Sequence, residues 1–557
     1  MSSESIEIKM GDWMINAGLV GLCNILEYSG DKVSKEADKI IIDSDSLNNF
    51  DEKYFKYFID TYLKTLSWYK IVSYRDTIKY FEDSNFKDFD EASLESLNDY
   101  ITKTAKYYIK SSSYKAAYEL IEGPVDIFEL EKNLTPVKFN KKDSIENKLP
   151  EIKETYETIK EIINYFTNDK TKKYLAGKNV IYTIINNGWN GVSFLNKQTK
   201  EKDMYIDFNN YFVKPVMEHI KADKSKYKYN CFICESKMKD MSNDVSFLND
   251  TGFDVARKSS HVWDFINDVA ICNVCKLIYS CIPAGITYAA GRGIFINANS
   301  TVNNLIITNN NIKAEVLQKD GKGSSLTYRS LITSIQEQFN GSSKYELSDV
   351  QVVRYEQEKY RFNILSKNIL KVIFNSKDEL NKLINCGFKE INTYFNIYDL
   401  VINNLLNNRN LIVLLHKLLI YKISNAKDCR YSTNNLSSLL KINYNFMKEI
   451  GYMGNSDKDV LDRANSSGYY LRQAYKDKGA VDKLNGIAYR LLNSLKTNNR
   501  AMFMDTMLNC YLYVKKEVPG VFLDALKDED TFKHIGYAFV MELVEGKKNE
   551  NGGRNNE

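Results

Sequence analysis

CFIC (Cys231 to Cys234) and CNVC (Cys272 to Cys275), with ITYAAGRGIFIN (Ile286 to Asn297) close behind them, are the stretch on which the reading of this chain turns. Each CxxC pair can set two sulfurs on one metal through a tight turn. Four thiolates at about 2.3 Å complete a tetrahedral zinc shell. Such a closed shell leaves no position for water, so the metal is structural rather than catalytic. The 37 residues between Cys234 and Cys272 exceed the roughly 15–20 of a compact zinc ribbon. The metal would therefore staple the base of a long insertion. Two unrelated cysteine pairs, or a redox pair, are the alternatives, and two pairs flanking one insertion favour the metal. Cys281 is a spare thiol, and His261 could replace one ligand although packing or solvent contact is its commoner role.

Outward from this core, ITYAAGRGIFIN reads as two strands joined at Gly291–Gly293. Val180 to Ile185 reads as a further β-like run, ending in the turn-rich Asn186 to Gly191. At the N-terminal side, Asp12 can cap a helix that runs to about Tyr28, with Gly30 ending it. Ile40 to Ile42 suggest a short strand. Phe55, Phe58, Ile59, Tyr62, Leu63 and Leu66 recur at helical spacing between Tyr54 and Ile71. The Lys-rich stretch from about Gly123 to Pro150 reads as a loop or linker, and helix returns at Ile152. Tyr360, Phe362 and Ile364 alternate as a strand. From about Asp378 onward the pattern is almost all helical. The expected class is α+β, mainly α: a mixed N-terminal region with a zinc-stapled insertion, then a C-terminal helical bundle. The expected boundaries are 1–150, 151–310, 311–445 and 446–557.

The whole chain is 557 residues with 43% apolar content, enough for two to four domains of about 150 residues each. Lys plus Arg number 76 and Asp plus Glu 72, for a net +4. This excludes a polycationic tail, so any basic surface is local. Six prolines, against a usual share of about 5%, favour helices. Nine cysteines in this length do not make a disulfide scaffold. No signal peptide is visible in MSSESIEIKMGDW. The most apolar run, Leu411 to Ile420, carries His416 and Lys417 and falls short of the about 20 residues of a membrane span. A reducing, cytoplasmic setting is expected.

Charge is segregated in two places. Around the first cysteine pair, seven lysines between Lys214 and Lys239 face three acids, with Tyr227 and Tyr229 among them. Lysines interleaved with aromatics suit single-stranded nucleic acid, although a solvated surface has the same composition. Between Arg463 and Lys516 there are ten basic residues against three acids, a net +7. They include Arg472, Lys476, Lys483, Arg490, Lys496 and Arg500. Lys476, Lys483 and Arg490 fall seven apart, hence on one helix face unless Gly479 or Gly486 breaks the helix. Glu517 to Glu545 carries a net −5.

Catalytic constellations are largely missing. The four histidines form no HxxxH motif or His-Cys cluster, GKGSS (Gly321 to Ser325) is not a P-loop, and no carboxylate cluster suggests a two-metal site. A zinc-containing nucleic-acid-processing enzyme, such as a nuclease with an unrecognised site, is the alternative to a binding protein. A scaffold that binds only protein is a third reading.

The opening MGDWMINAGLVGL, the central NNGWNGVSFLN, the CFIC…CNVC pair followed by AGITYAAGRGIFIN, and the helical tail together resemble the Cas-eight family. This is the large subunit of type I-B CRISPR Cascade complexes, in its Tneap/Cst branch. The resemblance covers nearly the whole chain in order. It implies a non-enzymatic subunit that reads the protospacer-adjacent motif of double-stranded target DNA, aids R-loop formation and holds the displaced strand. It also implies partners: the 5′ end of the guide RNA, the Cascade backbone and small subunits, and the helicase-nuclease. Met447 and Met453 lie where an internal start would yield a separate small subunit. Related subunits read the motif with loops of small, amide or basic residues. Asn186, Asn187, Trp189 and Asn190 form one candidate loop, and Asn297, Asn299 and Asn303 another.

Overall fold

Twelve consecutive residues of one helix, Ile15 to Leu26, are buried, and the N-terminal part of the molecule is built around it. The computed structural model describes residues 4–121, 123, 125–140, 142–249, 269–289, 291–298, 301–318, 332, 350–424, 428–452 and 459–544. The chain forms two compact units. The first comprises Met1–Lys322 and Val353–Arg361, and the second Gly323–Val352 and Phe362–Glu557.

In the first unit, β1 (Ser5–Lys9) leads into α1 (Trp13–Tyr28). Asp12 starts the helix by accepting the Met14 and Ile15 amides at 2.7 and 3.1 Å, and Gly30 follows its end at φ +84°. This is the helix expected from the sequence. β2 (Ser34–Lys35) and β3 (Lys39–Asp43) join β1 in an antiparallel sheet ordered β1-β3-β2. The Ile40–Ile42 expectation is thus met. α2 (Phe50–Tyr62) ends where the helical spacing predicted continuation. The segment from 123 to 150, expected as a linker, contains a helix at Ile127–Asn133 and the start of α3 (Ile145–Thr167).

The β-like run Val180 to Ile185 needs a correction. α4 (Asp169–Thr183) runs into it. Its Val180 and Ile181 are almost fully enclosed, and a short apolar run buried on all sides does not distinguish strand from helix. Beyond it come the ribbon strands β4 (Tyr229–Asn230) and β5 (Lys237–Met238). α5 (Asn273–Ser280) and the single turn α6 (Ile282–Gly285) follow. The hairpin of β6 (Thr287–Ala289) and β7 (Arg292–Ala298) has the expected form, with Tyr288 opposite Gly293. α7 (Val302–Gln318) closes this region. β8 (Val350–Glu356) and β9 (Lys359–Leu365) carry the segment Val353–Arg361 of the first unit, in a sheet ordered β6-β7-β8-β9.

Bare backbone lets α1 approach α5 and α6. A β-carbon on Gly18 would stand 2.4 Å from the Ile278 carbonyl oxygen, and one on Gly21 would stand 2.0 Å from that of Cys281. The carbonyls at this corner are satisfied by side chains from elsewhere. Tyr54 and Trp189 both donate to Ser280, at 2.8 and 3.1 Å. Tyr57 reaches Ala284 and Tyr62 reaches Ile286, both at 3.4 Å. Helix ends leave carbonyls without intrahelical partners, and buried tyrosine and tryptophan need partners for their polar tips. The buried Lys313 of α7 donates to the same Ala284 carbonyl and, at 2.8 Å, to the Tyr57 hydroxyl. Burial pulls the Lys313 pKa down to about 7.

The second unit is mainly helical. Its principal helices are α8 (Thr433–Glu449), α9 (Asp459–Asp477), α10 (Lys483–Lys496), α11 (Arg500–Val514) and α12 (Glu529–Leu543). A short hairpin, Gly387–Glu390 with Thr393–Asn396, interrupts the helical pattern. Met447 is buried in α8, and Met453 lies outside the described residues. No helix among the described residues is long and apolar enough to cross a membrane.

Candidate metal centre

The two cysteine pairs are presented by two different local structures. The first sits in a knuckle closed by the β4–β5 ribbon, where Tyr229 faces Met238 and Asn230 faces Lys237. The Cys231 amide donates to the Ser236 carbonyl at 2.8 Å and the Glu235 amide to the Cys231 carbonyl at 3.0 Å. Glu235 takes φ +60° to complete the turn. The second pair opens a helix. Cys272 is the N-cap of α5, and its sulfur accepts the Cys275 amide at 3.4 Å. The Cys272 amide in turn donates to the Cys231 sulfur at 3.2 Å. Backbone amides aimed at sulfur favour the thiolate form that a metal requires.

The four sulfurs converge, all within 4.8 Å of one another. Cys231 and Cys275 are 3.8 Å apart, and Cys234 and Cys272 are 3.5 Å apart. A tetrahedron of metal–sulfur bonds of about 2.3 Å has edges of about 3.8 Å, whereas a disulfide needs about 2.05 Å. All four cysteines are free thiols, three of them buried and Cys234 exposed. The set could hold a metal ion, and its donors and spacing are consistent with zinc. Without an ion the sulfurs compete for protons. Hydrogen bonding from Cys234, then from Cys272 and Cys275, holds the Cys231 thiol far below its ordinary pKa. The same network, led by Cys231, pushes Cys275 up.

Neighbouring side chains fix both loops. The Asn243 amide donates to the Asn273 side chain at 2.7 Å, and Asn273 donates to the Pro215 carbonyl at 3.2 Å. Lys276 donates to the Asn243 oxygen at 3.1 Å and lies 3.7 Å from the centre of the Tyr211 ring. These supports carried no signal in the sequence, because nothing in their spacing ties them to the cysteines. Cys281 is fully enclosed beside α1, and burial raises its pKa. His261 lies outside the described residues.

The candidate asparagine loop is fastened to this centre. Trp189 is fully buried, and its ring packs on Phe194 and Phe212 at 5.1 and 5.2 Å between centroids. It therefore offers no face to a base. The Asn186 carbonyl accepts from Asn249 at 2.5 Å, the Asn187 carbonyl accepts from the Tyr360 hydroxyl at 2.8 Å, and the Asn190 amide donates to Phe247 at 2.8 Å. Asn190 has the exposed side chain of the four residues. In the second loop, Asn297 is buried and accepts from Asn16 at 2.8 Å, Asn303 is exposed, and Asn299 lies outside the described residues.

The basic residues of the second unit do not form one continuous stripe. Gly479 adopts φ +64° and separates α9, which carries Arg472 and Lys476, from α10, which carries Lys483, Arg490 and Lys496. A left-handed glycine is a common helix stop, so the seven-residue spacing crosses a turn. Within α10, Lys483 and Arg490 do share a face. Lys476, Lys483, Arg490 and Lys496 are exposed. Arg472 and Arg500 are half-buried and spend guanidinium donors on the Glu542 and Leu526 carbonyls, at 2.8 and 3.2 Å.

Residues 224–287 match the family model of a CRISPR-associated protein, Cas_CXXC_CXXC. The matched stretch begins before the first cysteine pair and ends at the start of β6, so it contains all four sulfurs. It marks this segment as that of a CRISPR-associated protein. No curated protein and no solved structure matches the chain.

Proposed function

We propose that this chain is the non-catalytic large subunit of a type I-B CRISPR Cascade complex. In this role it recognises the protospacer-adjacent motif in target DNA, aids R-loop formation and recruits the helicase-nuclease. The observation that carries the reading is the match of residues 224–287 to a CRISPR-associated family over the converged cysteines. The metal is zinc, held by Cys231, Cys234, Cys272 and Cys275. It is structural, because four thiolates occupy the whole tetrahedral shell and leave no site for an activated water.

Physical reasoning supports the division of labour. In an RNA-guided complex, base pairing reads the sequence, and protein reads a short motif and the backbone. Exposed Lys476, Lys483, Arg490 and Lys496 suit backbone contact. Asn190, exposed beside Gly191 at φ +76°, suits a base edge. The test is affinity purification of the full-length tagged chain from its own cell. The expected result is recovery of backbone subunits and a guide RNA of uniform length. Recovery of the chain without RNA would overturn the reading.

A further inference from the structure

The metal knuckle carries a side chain that the fold does not use. Phe232, between the first two cysteines, is 65% exposed, although its own amide is fixed to the Ala270 carbonyl at 2.9 Å. Tyr229, on the adjoining strand β4, is 46% exposed. Lys226, Lys228, Lys237 and Lys239 lie within seven residues of Phe232 along the chain, all exposed and without an ion pair among the described residues. Among the nearby acids, Asp223 and Asp240 accept hydrogen bonds from Ser225 and Ser242 that hold their carboxyls below the ordinary pKa, and Glu235 is exposed, so the four lysines outnumber three charged acids. An exposed phenyl ring held on a rigid turn gains nothing for folding by staying in water. Rings set singly among unpaired ammonium groups do not make the contiguous apolar patch of a protein-docking surface.

We infer that this knuckle is a stacking platform for single-stranded DNA. Phe232 takes a base, and Lys226, Lys228 and Lys237 take the flanking phosphates. Stacking on aromatics combined with lysine–phosphate attraction is how proteins hold single strands without reading their sequence. Because the turn is fixed by its cysteines and by the β4–β5 pairing, the backbone that carries Phe232 is set before the strand arrives, which lowers the ordering cost of binding. The choice of DNA over RNA rests on the target-DNA reading above.

The test uses the full-length protein alone and a labelled oligothymidylate of about 20 nucleotides, followed by fluorescence anisotropy. Phe232→Ala is expected to weaken binding by about tenfold, with zinc content unchanged, and Phe232→Trp to restore it. Lys228→Gln with Lys237→Gln is expected to reduce the salt slope by about 1.4. Binding of Phe232→Ala at parental affinity would overturn the proposal, as would absence of binding by the parent. Tighter binding of the matching RNA would overturn the assignment to DNA. Since no complex is needed, failure of this test leaves the Cascade reading intact, and loss of the Cascade reading leaves the Phe232 result interpretable.

Discussion

Cys231, Cys234, Cys272 and Cys275 were legible because a CxxC spacing is a local statement about geometry, and two of them over-determine a four-sulfur site. Trp189 was not legible. Asn-Gly-Trp-Asn-Gly reads as an exposed turn, but the ring is enclosed and its N–H serves a carbonyl 91 residues away. Long-range partners of that kind leave no mark in spacing. Two outcomes are expected at this scale. The parent holds a full equivalent of zinc by elemental analysis, and Cys272→Ser loses it. Because a thiol must release its proton to bind metal, zinc retention falls as pH falls. His534 gives the second outcome. Its Nδ1 faces the Asp530 carbonyl at 2.7 Å and its Nε2 faces the Asn443 amide at 2.9 Å, so the ring is neutral, with Nδ1 donating and Nε2 accepting. Burial lowers its pKa from 6.5 to about 4. Between those values the unfolded chain binds a proton that the folded one does not. Stability is therefore full above pH 6.5 and is lost as pH falls toward 4, by about 3 kcal/mol in total. Thermal melts from pH 7 to 5 should show this decline, and His534→Gln should flatten it. Parallel declines in parent and variant would assign the effect to other groups.

Elements with their own start and stop signals were read well from sequence. Asp12 and Gly30 bracket α1, and the β6–β7 hairpin follows its glycine turn. Elements defined by their surroundings were not: neighbours bury Val180 and Ile181 on every side, so their apolar run carries neither a helical nor a strand period. Gly479 split a stripe that periodicity alone had joined. The glycines of AGLVGL show how an element and the metal centre depend on each other. Gly21 meets the Cys281 carbonyl with no room for a methyl group, and α5, which supplies two of the four sulfurs, ends just before it. Gly21→Ala should cost on the order of 3 kcal/mol, read as a lower melting temperature, and should speed zinc loss to a chelator. A variant that melts with the parent would show that the helices separate without cost.

Across the whole chain, the near balance of 76 basic and 72 acidic residues averages surfaces of opposite character. α10 exposes Lys483 and Arg490 on one face, while α12 begins with Glu529 and Asp530. A protein that meets nucleic acid on one surface and other subunits elsewhere has no need of a large net charge. Composition therefore bounded the class, and position within the fold decided where a partner can be met. The central claim, that this chain supplies target-DNA recognition to an RNA-guided complex, is tested most directly by reconstitution. The complex is assembled with and without the full-length chain, and its binding is measured to duplexes that match the guide and differ only in the flanking motif. The account predicts motif-dependent binding that disappears when the chain is omitted. Binding that is equally motif-dependent without it would contradict the account.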